Sequence, residues 1–116
     1  MGENLKEKEL KKVIKAFDFI PSFNRIIVTV NREEDSEGII TTEDALSRVQ
    51  YVVARGETSK YEAGDRVMLD FDRLTMYEED PMDSTKKIAR IKVNPFVNEG
   101  RVYTIIFDND VLGKFK

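Results

Sequence analysis

The chain has 116 residues, which allows one domain with a small core. Its 19 basic residues stand against 22 acidic ones, for a net charge of -3, so no basic excess exists to neutralise phosphates and nucleic-acid binding is not expected. Cysteine and histidine are both absent, which removes disulfides, thiolate metal sites, and the usual imidazole base and zinc ligand. No apolar run approaches the roughly 18 residues of a membrane span, and Met1 to Leu10 is too polar for a signal peptide. A soluble, reducing, cytoplasmic setting is the expectation.

The first element is a helix over Glu3 to Phe17, rich in Lys, Glu and Leu and free of Gly and Pro. Leu5, Leu10, Val13, Ile14 and Phe17 form a partial apolar stripe, with Glu7–Lys11 and Glu9–Lys12 as pairs of opposite sign. Pro21 stops it. We assign residues 1–18 to a helical extension that docks on the body, or on a neighbouring subunit, and 19–116 to the main domain. Ile26 to Val30 is the first strand.

An acidic run follows, Asn31-Arg32-Glu33-Glu34-Asp35-Ser36-Glu37, with no apolar side chain to dock. It ends on Gly38 and a bare apolar pair, Ile39-Ile40. Residues 31–47 are read as a mobile loop. By periodicity alone the isoleucine pair opens the next strand and lies in the core. Arg48 to Arg55 and Arg66 to Phe71 are the second and third strands, joined by a turn-bearing connection from Gly56 to Asp65.

Asp72 to Lys87 has loop chemistry around Leu74, Met76 and Tyr77. Ile88 to Val93, Arg101 to Phe107 and Val111 to Phe115 are further strands, with Asn94-Pro95 and Glu99-Gly100 as punctuation. Five or six short strands and one helix predict a mainly β fold, a small β-barrel or sandwich.

Candidate chemistry is thin. Three acidic clusters (Glu33-Glu34-Asp35, Glu78-Glu79-Asp80 and Asp108/Asp110) lack the alternation, fixed Gly and closing Glu of a calcium loop, and read as solvated charge. Ser84-Thr85-Lys86-Lys87 has the S-x-x-K spacing of a serine–lysine pair but sits in a polar stretch with no helical turn to stack one over the other. Gly56-Glu57-Thr58-Ser59-Lys60 lacks the glycine before the lysine that a phosphate loop needs. No catalytic residue, metal or cofactor is expected, and the chain is read as a non-enzyme.

A distributed set of motifs resembles the chaperonin-10 family, the co-chaperonins that cap GroEL-type chaperonins. Phe19-Ile20-Pro21-Ser22-Phe23-Asn24-Arg25-Ile26-Ile27-Val28 resembles the opening strand, with Asn24 where the family has Asp. Glu37-Gly38-Ile39-Ile40-Thr41 is similar to the Gly-Gly-Ile-Val-Leu end of the family's mobile loop. Val53-Ala54-Arg55-Gly56 and Tyr61-Glu62-Ala63-Gly64-Asp65-Arg66-Val67 resemble its Val-x-x-Gly and Val-x-x-Gly-Asp-x-Val turns, and Asp108 to Phe115 its closing strand.

The resemblance implies a GroES-like barrel, an added helix at its start, and assembly into a homo-heptameric ring. It implies that Gly38, Ile39, Ile40 and Thr41 dock between apical helices of the chaperonin, which binds the ATP while an unfolded client sits in the chamber. Phe23, Ile26, Val111, Leu112 and Phe115 would then form the subunit interface, the closing strand of one copy against the opening strand of the next.

Three departures carry weight. Thr41 replaces a Leu, the connection between Gly56 and Gly64 is too short for the family's roof hairpin, and Asp72 to Lys87 is longer than expected. Loss of the roof resembles virus-encoded co-chaperonins, which act in a bacterial host's cytoplasm. The alternative function is a ring-forming structural or scaffold barrel with no chaperonin affinity.

Overall fold

A computed structural model describes residues 4–33, 46–91 and 94–116. Those residues are mainly β, as the alternation of apolar residues predicts, with 46% of them in strands and 18% in helices. Helix α1 spans Glu7–Ala16. Strands β1 (Arg25–Thr29), β2 (Val49–Arg55) and β3 (Arg66–Leu69) lead to a one-turn helix, α2 (Phe71–Leu74). The chain continues through β4 (Thr75–Asp80), β5 (Asp83–Ile91), β6 (Pro95–Asn98) and β7 (Arg101–Phe107). A 3-10 turn over Asp108–Asp110 delivers it to β8 (Val111–Lys114).

Six of the strands form one antiparallel sheet in the order β6-β7-β1-β2-β3-β8, while among the described residues β4 and β5 pair only with each other. The 3-10 turn links β7, next to one edge, to β8 at the other edge within three residues. The sheet must therefore curl, and it does so around Ile26, Val28, Val52, Val67, Ile106 and Val111. Its outer face is covered by α1, through Leu5, Leu10 and Phe17 against Ile27, Val53 and Tyr103. Because β1 is covered on both faces, its sequence is a continuous apolar run rather than an alternating one. A bulge between Ile27 and Val28 places the extra residue Val53 in β2, which turns Val52 inward and Val53 outward.

Several element boundaries differ from the sequence expectation, and two of the shifts have a local reason. Helix α1 begins at Glu7, because the backbone of Leu5 hydrogen-bonds through both its groups to the Asn31 side chain instead of entering a helical turn. Strand β3 ends at Leu69, because the Asp70 carboxylate accepts from the amides of Asp72 and Arg73 and caps α2. Beyond α2, the expected loop from Asp72 to Lys87 is instead mostly β hairpin, with Glu79 opposite Lys87 and Asp80 opposite Asp83.

Strand β6 is an unexpected one. It joins β7 through a tight turn in which Glu99 (φ 51°) and Gly100 (φ 77°) are both left-handed, the geometry a two-residue hairpin requires. Its Pro95 is tolerated because β6 lies at the sheet edge. Among the described residues no helix is long and apolar enough to cross a membrane.

Candidate functional site

Gly38, Ile39, Ile40 and Thr41 lie outside the described residues, so the site is built from its two flanks. Residues Asn31-Arg32 and Leu46-Ser47 come together in one antiparallel bridge, Arg32 opposite Leu46, and the Ser47 amide donates to the Asn31 carbonyl at 3.0 Å. Beneath this bridge lies Gln50, a polar side chain with no solvent exposure.

Every polar atom of the Gln50 amide is used. Its Nε2 donates to the carbonyls of Asn31 and Ser47, both at 2.8 Å. Its Oε1 accepts from the Thr29 hydroxyl at 2.7 Å and the Asn31 amide at 2.8 Å. The Thr29 hydroxyl accepts in turn from the Tyr51 amide. A buried amide left unpaired is costly, so the full set of partners holds Asn31 and Ser47 at one spacing.

Two further amides tie the same place to the start of α1. Asn31 Oδ1 accepts from the Leu5 amide at 2.9 Å and its Nδ2 donates to the Leu5 carbonyl at 3.0 Å. Asn4 does the same to Arg32, accepting from its amide and donating to its carbonyl, both at 2.9 Å. In the sequence none of these residues carries a hydrogen-bonding role: Leu5 belongs to the apolar stripe and Asn31-Arg32 opens the acidic run. Asn4 and Asn31 are 27 positions apart and no spacing links them; the signal that was present is a glutamine inside an apolar strand, Val49-Gln50-Tyr51-Val52.

The other candidate surface is the expected subunit interface, and its residues divide. Phe23 is 62% exposed and Leu112 60% exposed, and Phe115 is also open, with the Arg66 guanidinium over its ring at 4.3 Å. Ile26 and Val111 are not on this surface. Both belong to the inner cluster, and the Ile26 backbone is already paired to β2 and β7, so that residue has nothing left to offer a second chain.

The exposed residues sit beside open backbone. Strand β8 pairs with β3 along one side only, and among the described residues no strand covers its other side. Ahead of β1, no described residue hydrogen-bonds to the backbone of Asp18, Phe19 or Ile20, and the Ile20 side chain is 77% exposed while Pro21 is buried. Phe23 is held outward by a left-handed backbone, φ 58°, which a bulky residue adopts only under constraint. Gly56 supplies that constraint: a Cβ there would lie 2.1 Å from the Phe23 carbonyl oxygen, and the Thr58 amide donates to the same oxygen.

No arrangement of catalytic character accompanies these surfaces among the described residues. No group of three acidic side chains converges there for a metal. Asp108 is buried, accepting from the Ser59 hydroxyl at 2.7 Å and the Lys60 amide at 2.9 Å, whereas Asp110 accepts from the Phe107 amide. Ser84 and Lys87 both lie on β5, three positions apart on a strand, and so point to opposite faces. Burial, then the negative charges of Asp108 and Asp65, push the Tyr61 hydroxyl up from its ordinary 10.0, a structural consequence of its place in the core. In comparison with known proteins, the chain matches no family model, and no curated protein is significantly similar to it.

Proposed function

We propose that this chain is the subunit of a chaperonin-10-like co-chaperonin: a GroES-like barrel that assembles into a ring, caps a GroEL-type chaperonin and assists ATP-dependent folding of an enclosed client. The observation that carries the reading is a pair of unsatisfied edges on one chain. One is the open side of β8 with Leu112 and Phe115 beside it, and the other is the segment Asp18–Ile20 with exposed Phe19, Ile20 and Phe23.

Two unlike edges on one subunit favour head-to-tail contact, which closes into a ring and removes strand edges that invite aggregation. The motif-bearing turns support the same reading. Gly56 is required by its approach to Phe23, and Gly64 by its φ of 99°. The connection from Gly56 to Asp65 contains no strand, in keeping with a lid that lacks a roof hairpin.

Docking is assigned to Gly38, Ile39, Ile40 and Thr41. Burying two isoleucines is worth roughly 3–6 kcal/mol, offset by about 1–2 kcal/mol for each residue ordered. A single segment is thus a weak ligand. Copies around a ring bind through effective concentration, and a weak unit contact permits release when the partner changes nucleotide state.

The test is native mass in solution, alone and with a GroEL-type chaperonin plus nucleotide. We expect a ring that joins the larger particle, and an Ile39→Asp/Ile40→Asp variant that still forms the ring but no longer joins. A ring that never joins indicates the scaffold function instead. A monomer under all conditions removes both.

A further inference from the structure

The C-terminal end of α1 does not lie flush with the sheet. Between Val13, Ala16 and Phe17 on the helix side and the β6–β7 turn opposite lies a cleft of about 370 Å³, within the range of small-molecule pockets, about 300–1,000 Å³. Aromatic rings brace it: Phe17 meets Tyr103 edge-on at 5.1 Å between centroids, and Phe96 stands 6.2 Å from the first and 6.0 Å from the second. Tyr103 is only 2% exposed and lines this cleft, yet its hydroxyl has no hydrogen-bond partner among the described residues. Among those residues the one buried side-chain polar atom sealed off without a partner is Arg55 Nε, so the Tyr103 hydroxyl is the part of that side chain that opens onto the cleft. A buried phenol usually has a partner for its hydroxyl, and here the place for one is the cleft. Burial pushes that hydroxyl's pKa up from its ordinary 10.0, and the positive charge of Arg101 pulls against the rise. Arg101 lines the same cleft and is held by Glu9, whose Oε2 accepts from its Nη2 at 3.0 Å. One nitrogen is engaged there, and the guanidinium has five N–H donors in all. Lys12 adds an exposed ammonium at the rim.

We propose that this cleft is a binding site for a small carboxylic acid with an apolar body. The body lies against Val13, Phe17 and the Tyr103 ring, and the carboxylate accepts from the Tyr103 hydroxyl and the Arg101 guanidinium, with Lys12 as a second cation. The chemistry selects each part of that ligand. A hydroxyl donor beside a planar guanidinium suits a carboxylate, and such charge-assisted bonds are stronger than neutral ones. The aromatic and aliphatic wall rewards an apolar body for leaving water. A single negative charge is favoured over two, because Glu9 already shares the Arg101 charge and Glu99 stands exposed at the turn. A phosphate monoester would bring a second charge that nothing in the cleft is left to balance. The site does not depend on the co-chaperonin reading, and neither falls with the other.

The test uses the full chain and ligand-observed saturation-transfer NMR, titrating phenylacetate and 4-methylpentanoate to about 10 mM, past the weak end of specific binding. Phenylacetamide, of the same shape without the charge, is the control. We expect both acids to bind and the amide to bind about tenfold more weakly, since hydrogen bonds to a charged group are the stronger ones. Tyr103→Phe keeps the ring and removes a hydroxyl that bonds to no described residue, so the fold survives; it should weaken phenylacetate about tenfold. Lys12→Gln, at an exposed position, should weaken it about threefold. Tyr61→Phe, the same change in the inner cluster, should leave the affinity alone. An amide that binds as tightly as the acid overturns recognition of the carboxylate. Affinity unchanged in both Tyr103→Phe and Lys12→Gln puts the acid elsewhere and overturns the cleft. Failure of both acids to bind at about 10 mM overturns the site. An N-acetylated, C-amidated Leu-Glu-Leu peptide that binds where neither acid does overturns the small acid in favour of a protein segment.

Discussion

Two parts of this chain use antiparallel pairing to different ends. In the six-stranded sheet, pairing is only the start: β1 and β2 lie between the inner cluster on one face and α1 on the other. In the β4–β5 hairpin, the two strands pair with each other and, among the described residues, with no other strand. Tyr77 on β4 and Met82 at the turn are largely exposed, and among the described residues the hairpin's ladder joins no third strand. A two-stranded ribbon of that kind is marginal in water, whereas three or more strands with a covered face are self-sufficient. The same hydrogen bonds thus differ in worth by what is stacked above and below them. Changes in the sheet should cost much and changes in the hairpin little, and that contrast can be broken experimentally.

The largest effect is expected at Gly56. An alanine Cβ there would meet three backbone atoms, the Phe23 oxygen at 2.1 Å, its carbonyl carbon at 2.8 Å and the Ser22 carbonyl carbon at 3.0 Å. None is the flexible end of a side chain, and Phe23 is already in a strained conformation. Gly56→Ala should cost about 3 kcal/mol or more, read as a fall in the denaturant midpoint of the folded chain. A loss below about 1 kcal/mol would mean that the Ser22–Asn24 turn is softer than this packing implies.

Gly56 also marks what was legible in the sequence. A glycine closing an apolar strand is a strong local signal, and so were the runs Ile26–Val28 and Val49–Val53, whose apolar density leaves no alternative to burial. The α1 stripe was legible for the same reason: Leu10, Val13, Ile14 and Phe17 do pack on the sheet. The expected pairing of Glu9 with Lys12 was not realised in that form, since Glu9 meets Arg101 of β7 at 3.0 Å. The hairpin was read as loop because Glu78-Glu79-Asp80 and Asp83-Ser84-Thr85-Lys86-Lys87 sit on strands without any period of two in hydrophobicity. The amide cluster of Asn4, Asn31 and Gln50 was invisible because hydrogen bonds between Asn4 and Arg32, or Thr29 and Gln50, connect residues far apart in sequence and leave no trace in spacing. Asp108 and Ser59 are the same case.

A second test sharpens the contrast through pH. Burial raises the hydroxyl pKa of both Tyr61, in the inner cluster, and Tyr103, under α1, above the ordinary 10.0. Their contribution is complete below the unfolded value of 10.0 and is lost as pH rises from there through the folded values, because the unfolded chain ionises first. The sheet should therefore lose stability on the alkaline side, and Tyr61→Phe should flatten that decline. The hairpin has the opposite sign. Hydrogen bonds from the Thr85 hydroxyl and amide hold the Asp83 carboxyl below its ordinary 3.8, so whatever it adds is present above that value and is lost as pH falls through the folded pKa. Because the hydrogen bonds that Asp83 accepts come from Thr85, two residues on, the acid effect should be confined to the turn and visible in the Thr85 amide signal. An acid transition that spreads to β1 would tie the hairpin to the sheet more closely than its contacts suggest.

The smallest effect is expected at the hairpin tip. Met82 is 91% exposed and follows Pro81 at the turn, where its side chain has lost almost no contact with water on folding. Met82→Ser should change global stability by no more than about 0.5 kcal/mol. The informative measurement beside it is exchange. Amides of β4 and β5 should open locally, well below the free energy of global unfolding, while Ile27 and Val52 exchange only through the global event. Protection of the hairpin equal to that of Ile27 would be incompatible with an isolated ribbon. It would require something in solution to cover Tyr77 and Met82, and concentration dependence of that protection would then separate a second copy of this chain from packing within one.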